Sequence, residues 1–143
     1  MRDVFIDANV IIDWLVAKSI NHAVCTQTVK TAFQMCRSVY ISPTTIAITS
    51  YFLYKNYKSE SKAKFIAQEI FEPFRITTEN ELIVKQSLAS KFNDLEDAIQ
   101  YHSALNSKLD VIITQNGYDF SESKLPIVGP QEFCGLFSFG QSR

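Results

Sequence analysis

Short apolar runs alternate along the chain with longer segments in which apolar residues recur at helical spacing. The short runs predict buried strands at Arg2–Asp7 and Asp110–Thr114, short strands at Val39–Ile41 and Phe74–Thr77, and a last edge strand at Pro126–Val128. The longer segments predict helices at Asn9–Leu15, His22–Arg37, Pro43 to about Tyr57, Glu60–Phe71, Leu82–Lys91 and from Asn93 or Asp94 to about Ser107.

Two of these helices begin with recognisable capping residues. Ser42 precedes Pro43, and proline is tolerated at a first helical position because its missing N–H would have no partner there. The run Thr78–Glu81 has the Thr-x-x-Glu spacing of a capping box, in which the two side chains cap each other's backbone N–H groups. These signals predict where the third and fifth helices start.

Strands separated by helices, without a hairpin signal between strands, indicate an α/β fold with a mostly parallel sheet of four or five strands. Asn116-Gly117 follows a strand, but no second strand pattern follows it directly, so it is interpreted as a loop. Because we find no repeat, low-complexity tract or Pro/Gly-rich linker, residues 1–143 are interpreted as a single domain.

Composition narrows the function classes only slightly. The 143 residues are 46% hydrophobic and 20% charged, with a net charge of −1, so the overall charge does not indicate nucleic-acid binding. No apolar stretch approaches the roughly 20 residues that span a bilayer, and the start is interpreted as a strand, not a signal peptide. Three cysteines without CxxC spacing suggest reduced thiols. We therefore expect a cytoplasmic protein.

Four aspartates fall where an α/β fold brings residues together. Asp7 and Asp119 follow buried strand patterns, while Asp94 and Asp97 stand three residues apart at a helix start. Strand carboxyl ends are where open parallel sheets place their ligands, and an i, i+3 spacing puts two side chains on one helix face. Clustered carboxylates repel one another unless a cation binds, and all-oxygen sites suit Mg²⁺ or Mn²⁺. The pattern predicts a metal site for phosphate chemistry.

Over essentially its whole length the chain resembles PIN domains, the fold of VapC-type toxins from bacterial toxin–antitoxin pairs. Four segments carry the resemblance: Val4–Ile12, Ile41–Ala47, Phe92–Gln100 and Ile112–Asn116 with Asp119-Phe120. The last two are the most specific, namely an acid-x-x-acid-Ala helix start and a strand ending Ile-Thr-x-Asn-x-x-Asp-Phe. The resemblance implies a three-layer α/β/α fold around the parallel sheet.

The resemblance also implies a function, a metal-dependent endoribonuclease in which a water activated by Mg²⁺ or Mn²⁺ hydrolyses an RNA phosphodiester. Carried over by position, Asp7, Asp97 and Asp119 would hold the ion, with Asn116 as a competing ligand and Asp94 beside them as a fourth catalytic residue. A small antitoxin that blocks the site and a homodimer are further implications.

Simpler roles compete with these assignments. Asp7 or Asp94 could act only as a helix N-cap, Asp119 could only shape a loop, and Glu96 is interpreted as a solvated charge on another helix face. Thr114 and Ser42 are supporting candidates that could contact phosphate or a water on the metal, although strand-end and capping roles would also explain them.

The chain also departs from the family pattern. Many members carry a Glu on the helix after Ser42, where Ile48 stands here, and many have Thr-Arg-Asp or Thr-Arg-Asn where this chain has Thr114-Gln115-Asn116. These departures leave open an alternative from another class, a PIN-like binding or scaffolding domain with weak or no catalysis. A phosphatase-like use of Asp7 as nucleophile is less favoured, because Asn9 stands where a second Asp would be needed.

Overall fold

The computed structural model describes residues 2–138, which form five strands and seven α-helices around one sheet. The strands are β1 (Asp3–Ile6), β2 (Ser38–Ile41), β3 (Arg75–Ile76), β4 (Val111–Ile113) and β5 (Ile127–Val128). The helices are α1 (Ala8–Leu15), α2 (His22–Met35), α3 (Pro43–Tyr57), α4 (Glu60–Phe71), α5 (Glu81–Leu88), α6 (Leu95–Asn106) and α7 (Pro130–Gly135). A 3-10 helix, Gly117–Phe120, follows β4.

All four strand pairings are parallel, in the order β3-β2-β1-β4-β5. The predicted parallel sheet is confirmed, and β5 is the edge strand that the sequence predicted. The chain leaves β1 toward β2 and later returns to its other side with β4, so the strand order reverses direction at β1. In open α/β sheets, ligands bind outside the strand carboxyl ends at such a switch point.

Alternate residues of the central strand, β1, pack on opposite faces of the sheet. Val4 and Ile6 pack in one core with residues from α1, α2, α3, α4 and α7. Phe5 packs in a second core with Tyr101 of α6 and Phe120 of the 3-10 helix, and α5 packs against α6. This alternation follows from the two-residue period of a strand, and it gives the α/β/α layering expected from the resemblance.

In the C-terminal half, one predicted feature is wrong and one helix was not predicted. Thr78 does not open a capping box: α5 is capped by Asn80, whose side chain accepts from the Ile83 N–H at 3.0 Å. Glu79 instead accepts from the backbone N–H of Thr44 at 2.5 Å. That partner lies 35 residues away, so local spacing could not reveal it. The helix α7 was also absent from the sequence prediction.

Ser42 caps α3 and also joins it to α6. Its hydroxyl accepts from the Thr45 N–H at 3.1 Å and donates to the Gln100 side-chain oxygen at 2.8 Å. The Gln100 amide donates to the Thr45 hydroxyl at 3.1 Å. All three side chains are fully buried, so this network fixes α6 relative to the sheet.

Two further sequence expectations concern cysteines and membranes. Cys25 and Cys36 are buried and Cys134 is partly buried, and all three are free thiols. Within residues 2–138, none of the helices combines the length and hydropathy that a bilayer crossing demands.

Replacing Gln100 by Leu should destabilise the protein by about 1–3 kcal/mol, because buried hydroxyls of Ser42 and Thr45 would lose a partner while the side-chain volume stays similar. Urea unfolding measures this change. Gln68→Leu, at an exposed position of α4, is the matched control and should change stability little. Equal effects of the two substitutions would contradict a structural role for the network.

Candidate active site

Asp7 lies immediately after β1, at the point where the strand order reverses. Its backbone N–H donates to the Ile113 carbonyl at 2.9 Å and so extends the β1–β4 pairing by one residue. One carboxylate oxygen accepts from the Ala8 N–H at 2.7 Å, and the other accepts from the Thr114 hydroxyl at 2.7 Å. Only 1% of Asp7 is exposed. The residue therefore caps α1 and also faces the strand-end crevice, so the two roles weighed from sequence coexist.

Asn9, which the sequence analysis did not propose as a site residue, connects the ends of β1 and β4. Its side-chain amide donates to Asp7 Oδ2 and to Thr114 Oγ1, both at 3.1 Å. Its side-chain oxygen accepts from the Gln115 N–H at 3.2 Å. An amide has both donors and an acceptor, which is the chemistry needed to bridge a carboxylate and a backbone N–H. Its position two residues after Asp7 was the only sequence signal.

The Gln115 side chain does not line the cleft and instead contacts α1. Its amide nitrogen donates to the Asn9 carbonyl at 3.1 Å and to Asp13 Oδ2 at 2.8 Å. Gln115 therefore ties the loop after β4 to α1. Many family members have a cationic side chain at this position. Here the side chain is a neutral amide that joins two elements, and it lies outside the cleft described below.

The start of α6 brings a second group of carboxylates to the crevice. Asp94 is the N-cap, and one of its oxygens accepts from the Asp97 N–H at 2.9 Å. Asp97 is partly buried in the first turn, whereas Asp94 and Glu96 are exposed. Glu96 was predicted to face elsewhere, but it lines the same cleft as Asp94 and Asp97. Helix side chains tilt toward the N-terminus, so the residues of a first turn can converge beyond the helix end.

The 3-10 helix supplies the remaining predicted residues. Asp119 is exposed and lines the cleft together with Asn116, and its N–H donates to the Asn116 carbonyl at 2.9 Å. Thr114 is buried behind Asp7 and holds it in place. Ser42, by contrast, does not line the cleft, and its hydroxyl donates to Gln100 of α6.

The crevice is an acidic cleft of about 660 Å³. Its carboxylate-bearing residues are Asp7, Asp94, Glu96, Asp97, Asp119 and Glu122. Lys91 is the one lysine or arginine among the described lining residues. Six carboxylates facing a single ammonium group leave a large excess of negative charge in a partly enclosed space.

Burial and the negative charge of the cleft raise the pKa of the two innermost carboxyls. Burial is the main cause that raises the pKa of Asp7 to about 6. The hydrogen bonds from Thr114 and Ala8 oppose this increase, whereas the negative charges of Glu96 and Asp94 add to it. Burial, followed by the negative charges of Asp7, Asp94, Asp119 and Glu96, raises the pKa of Asp97 to about 7. The pKa of Glu96 is raised by desolvation at the cleft wall and by the negative charge of Asp94. Carboxylates from three different segments thus act on one another electrostatically.

A family model described as PIN domain matches residues 3–117, which is most of the chain. The chain belongs to the PIN-domain family. The resemblance inferred from the four sequence segments is therefore confirmed. No protein of the curated set matches the chain in sequence.

Solved structures with this PIN fold include components of toxin–antitoxin systems. VapBC-1 from nontypeable Haemophilus influenzae matches with a TM-score of 0.67 at 16% identity, over 90% of this chain and 98% of that chain. A toxin–antitoxin complex from Klebsiella pneumoniae matches with 0.65 at 23% identity, over 89% and 97%. VapC20 from Mycobacterium tuberculosis, a toxin that cleaves the sarcin–ricin loop, matches with 0.58 at 13% identity, over 76% and 86%. At these identities the likeness concerns the fold.

The donor chemistry of this PIN domain fits a hard divalent cation, because the cleft offers carboxylate and amide oxygens and an uncompensated negative charge. The ligand shell is not closed, however. Nowhere in residues 2–138 do three or more His, Cys, Asp or Glu side chains already form a metal-binding group. The oxygen atoms and the negative charge of the site thus suit a cation, although the side chains are not arranged in a complete coordination shell.

The other family departure lies outside the cleft. Ile48, at the position where many PIN domains carry a Glu, is on α3 and does not line the cleft. The mixed tyrosine and lysine residues of α3 do not line it either; Lys55 instead lies over the ring of Tyr51 at 5.4 Å. The acidic character of the cleft comes from the end of β1, the start of α6, and the 3-10 helix with the residues that follow it.

The raised pKa of Asp97 predicts a pH dependence of stability in metal-free buffer. A carboxyl with a higher pKa in the folded protein binds more protons when folded, so its contribution to stability falls as the pH rises through the window. Here the window extends from the ordinary pKa of 3.8 to about 7. Asp97→Asn is neutral at every pH and should raise Tm relative to wild type at about pH 8, with a smaller gain at about pH 5.

Thermal unfolding at the two pH values with EDTA measures this difference. Glu69→Gln, on the exposed side of α4 and outside the cleft, is the control for removal of a negative charge. An equal change of Tm for Asp97→Asn at the two pH values would contradict the raised pKa of Asp97.

Proposed function

We propose that the protein is a metal-dependent endoribonuclease of the VapC-toxin kind. The observation that carries the proposal is the convergence of Asp7, from the central strand, with Asp97, from α6, in a cleft whose carboxylates raise one another's pKa. Such mutual repulsion disfavours the ligand-free site and is relieved when a cation binds. Membership of the PIN family supports the same reaction class.

In this proposal Asp7, Asp97 and Asp119 hold Mg²⁺ or Mn²⁺, and Asp94 supports them as the fourth catalytic carboxylate. Asn116 lies on the same cleft wall as Asp119 and is the competing neutral ligand. When bound, the cation supplies a Lewis acid that lowers the pKa of water and offsets charge on the scissile phosphate. Thr114 and Asn9 orient Asp7 through the bonds to its Oδ2 atom.

The chain's own contribution to catalysis is chiefly positioning. Hydrolysis joins a water oxygen to phosphorus and breaks one phosphorus–oxygen bond of the RNA backbone, so the protein has to keep phosphate and water in line. Asp7 is fixed by both of its oxygens, and Asp94 fixes the first turn of α6 on which Asp97 stands. Prearranged groups of this kind lower the barrier because their orientation is set before the substrate binds.

A second candidate function is a PIN-fold binding domain without catalysis. It is favoured by the open ligand shell of the described residues and by the neutral Asn116 beside Asp119. Under this alternative the cleft would not bind Mn²⁺ measurably, and the acidic residues would contact a basic protein segment. Metal titration and RNA cleavage separate the two candidates.

The proposed function brings partners with it. We propose a cognate antitoxin, supported by the fold likeness to the toxin–antitoxin complexes of Haemophilus influenzae and Klebsiella pneumoniae, and a homodimer, as the family resemblance implies. An apolar groove of about 770 Å³ between α3 and α4, with Tyr51, Tyr54 and Phe71 in its wall, offers a surface for a protein partner. An RNA substrate and free thiols agree with the expected cytoplasmic location.

Purified protein should cut a pool of structured RNAs in Mg²⁺ or Mn²⁺, and EDTA should stop the cutting. Asp97→Asn should lower the rate by more than about a hundredfold, above the roughly 10- to 100-fold typical of residues that only support a metal ligand. Asp110→Asn is the matched control, because Asp110 precedes β4 at the opposite end of the sheet. A wild-type rate for Asp97→Asn would refute the site assignment.

Thr114→Val should weaken Mn²⁺ binding by about 10- to 100-fold, because Asp7 would lose the hydroxyl that orients its Oδ2 atom. The rise of Tm with Mn²⁺ concentration measures this affinity, since a ligand that binds only the folded protein stabilises it by mass action. Thr26→Val, at an exposed position of α2, is the control. Absence of any Mn²⁺ effect on well-folded wild type would favour the non-catalytic alternative.

A further inference from the structure

Tyr118 is the most exposed aromatic residue in the described part of the chain, with 83% of its surface accessible. It nevertheless belongs to the wall of the acidic cleft, directly beside Asp119. Within residues 2–138 its ring packs against no other aromatic ring and lies under no cation. An aromatic face left free at the edge of a candidate active site is available to a ligand.

The backbone that carries Tyr118 is held firmly by its neighbours. Phe120, at the end of the same 3-10 helix, is 1% exposed and lies edge-on to Phe92 at a centroid distance of 5.7 Å. Phe92 also stacks on Tyr101 of α6 at 5.0 Å. Because Phe120 packs in the core, it anchors the short helix from which Tyr118 is exposed. Holding a free ring on a fixed support lowers the entropy cost of stacking a ligand on it.

Lys91 adds the complementary charge. It precedes Phe92 and lines the same cleft, and no carboxylate of the described residues lies within salt-bridge distance of it. Proteins bind single-stranded nucleic acid by stacking bases on aromatic rings while cations follow the phosphates. The packing of Phe92 on Phe120 therefore brings the ring of Tyr118 and the ammonium group of Lys91 to one cleft.

We propose that Tyr118 stacks on an unpaired base of the RNA next to the scissile phosphate and that Lys91 contacts a backbone phosphate. The inference rests on the proposed ribonuclease function and names residues that position its substrate. Stacking on a ring face requires a base that has left its own helix, so the pair selects unpaired segments over duplex RNA. Tyr118 and Lys91 are positioning residues, and the carboxylates remain the catalytic group.

The test of stacking is the binding of a short single-stranded RNA that contains 2-aminopurine, whose fluorescence falls when it stacks on an aromatic ring. The measurement uses the full chain with Asp97→Asn, which keeps the RNA intact under the proposed function, in Mg²⁺. Adding Tyr118→Ala should raise Kd by at least about fivefold and abolish the protein-induced quenching. Adding Tyr118→Phe should preserve both, because the ring face remains.

Tyr51→Ala, which removes an exposed tyrosine of α3 outside the cleft, is the matched control and should leave Kd and quenching unchanged. Equal Kd and quenching for Tyr118→Ala and its parent would overturn the inference, as would a failure of the parent to bind RNA. A failure of the proposed function has a different signature, namely no metal-dependent cutting of RNA by wild type. In that case the comparison of Kd and quenching still decides whether Tyr118 stacks on a base.

Lys91 is tested through the salt dependence of the same binding. Removing one cation that neutralises a phosphate of a single strand should reduce the slope of log Kd against log salt concentration by about 0.7. Lys91→Gln should show this reduction, and Lys64→Gln, at an exposed position of α4, should not. An unchanged slope for Lys91→Gln would remove Lys91 from the proposal.

Discussion

The hydrogen bond from the Thr114 hydroxyl to the Asp7 carboxylate joins the ends of the two central strands. Asn9 and Gln115 extend this contact into a network that fixes the loops after β1 and β4. Because Asp7 is buried at the point where the strand order reverses, its bonds determine where the cleft floor lies. The carboxylates of α6 and of the 3-10 helix are arranged around that floor, so the geometry of the candidate site depends on this contact.

The same arrangement works against stability. A domain of this size has a small net free energy of folding, and carboxylates that raise one another's pKa reduce it at neutral pH. Functional sites commonly retain such local conflicts because their chemistry requires them. The fully buried bonds among Ser42, Thr45 and Gln100 hold α6 against the sheet. They thereby oppose the repulsion that would move the start of α6 away from Asp7.

The positions at which this chain departs from the family pattern have local structural explanations. Gln115 replaces the usual cation with hydrogen bonds to Asn9 and Asp13, and Ile48 is accommodated on α3 away from the cleft. The cleft still contains six carboxylate-bearing residues, Glu96 and Glu122 among them. Its wall also carries Lys91 and Tyr118, which a comparison of acidic positions alone would overlook. The site is therefore best understood from the residues that line it, not from the family positions that it lacks.

The sequence by itself determined the five strands, the helices α1 to α6 and the parallel sheet, and it predicted that the four aspartates converge, because periodicity, capping and strand-end placement are local signals. It did not predict α7 or the 3-10 helix. Asp94 as an N-cap and Asp7 at a strand end followed directly from those signals. Only the tertiary structure decided that Glu79 binds the start of α3, that Glu96 enters the cleft and that Asn9 bridges two strand ends. Each of these depends on a partner distant in sequence or on the tilt of a helix end. Those relations arise when the layers pack, and the order of residues along the chain does not express them.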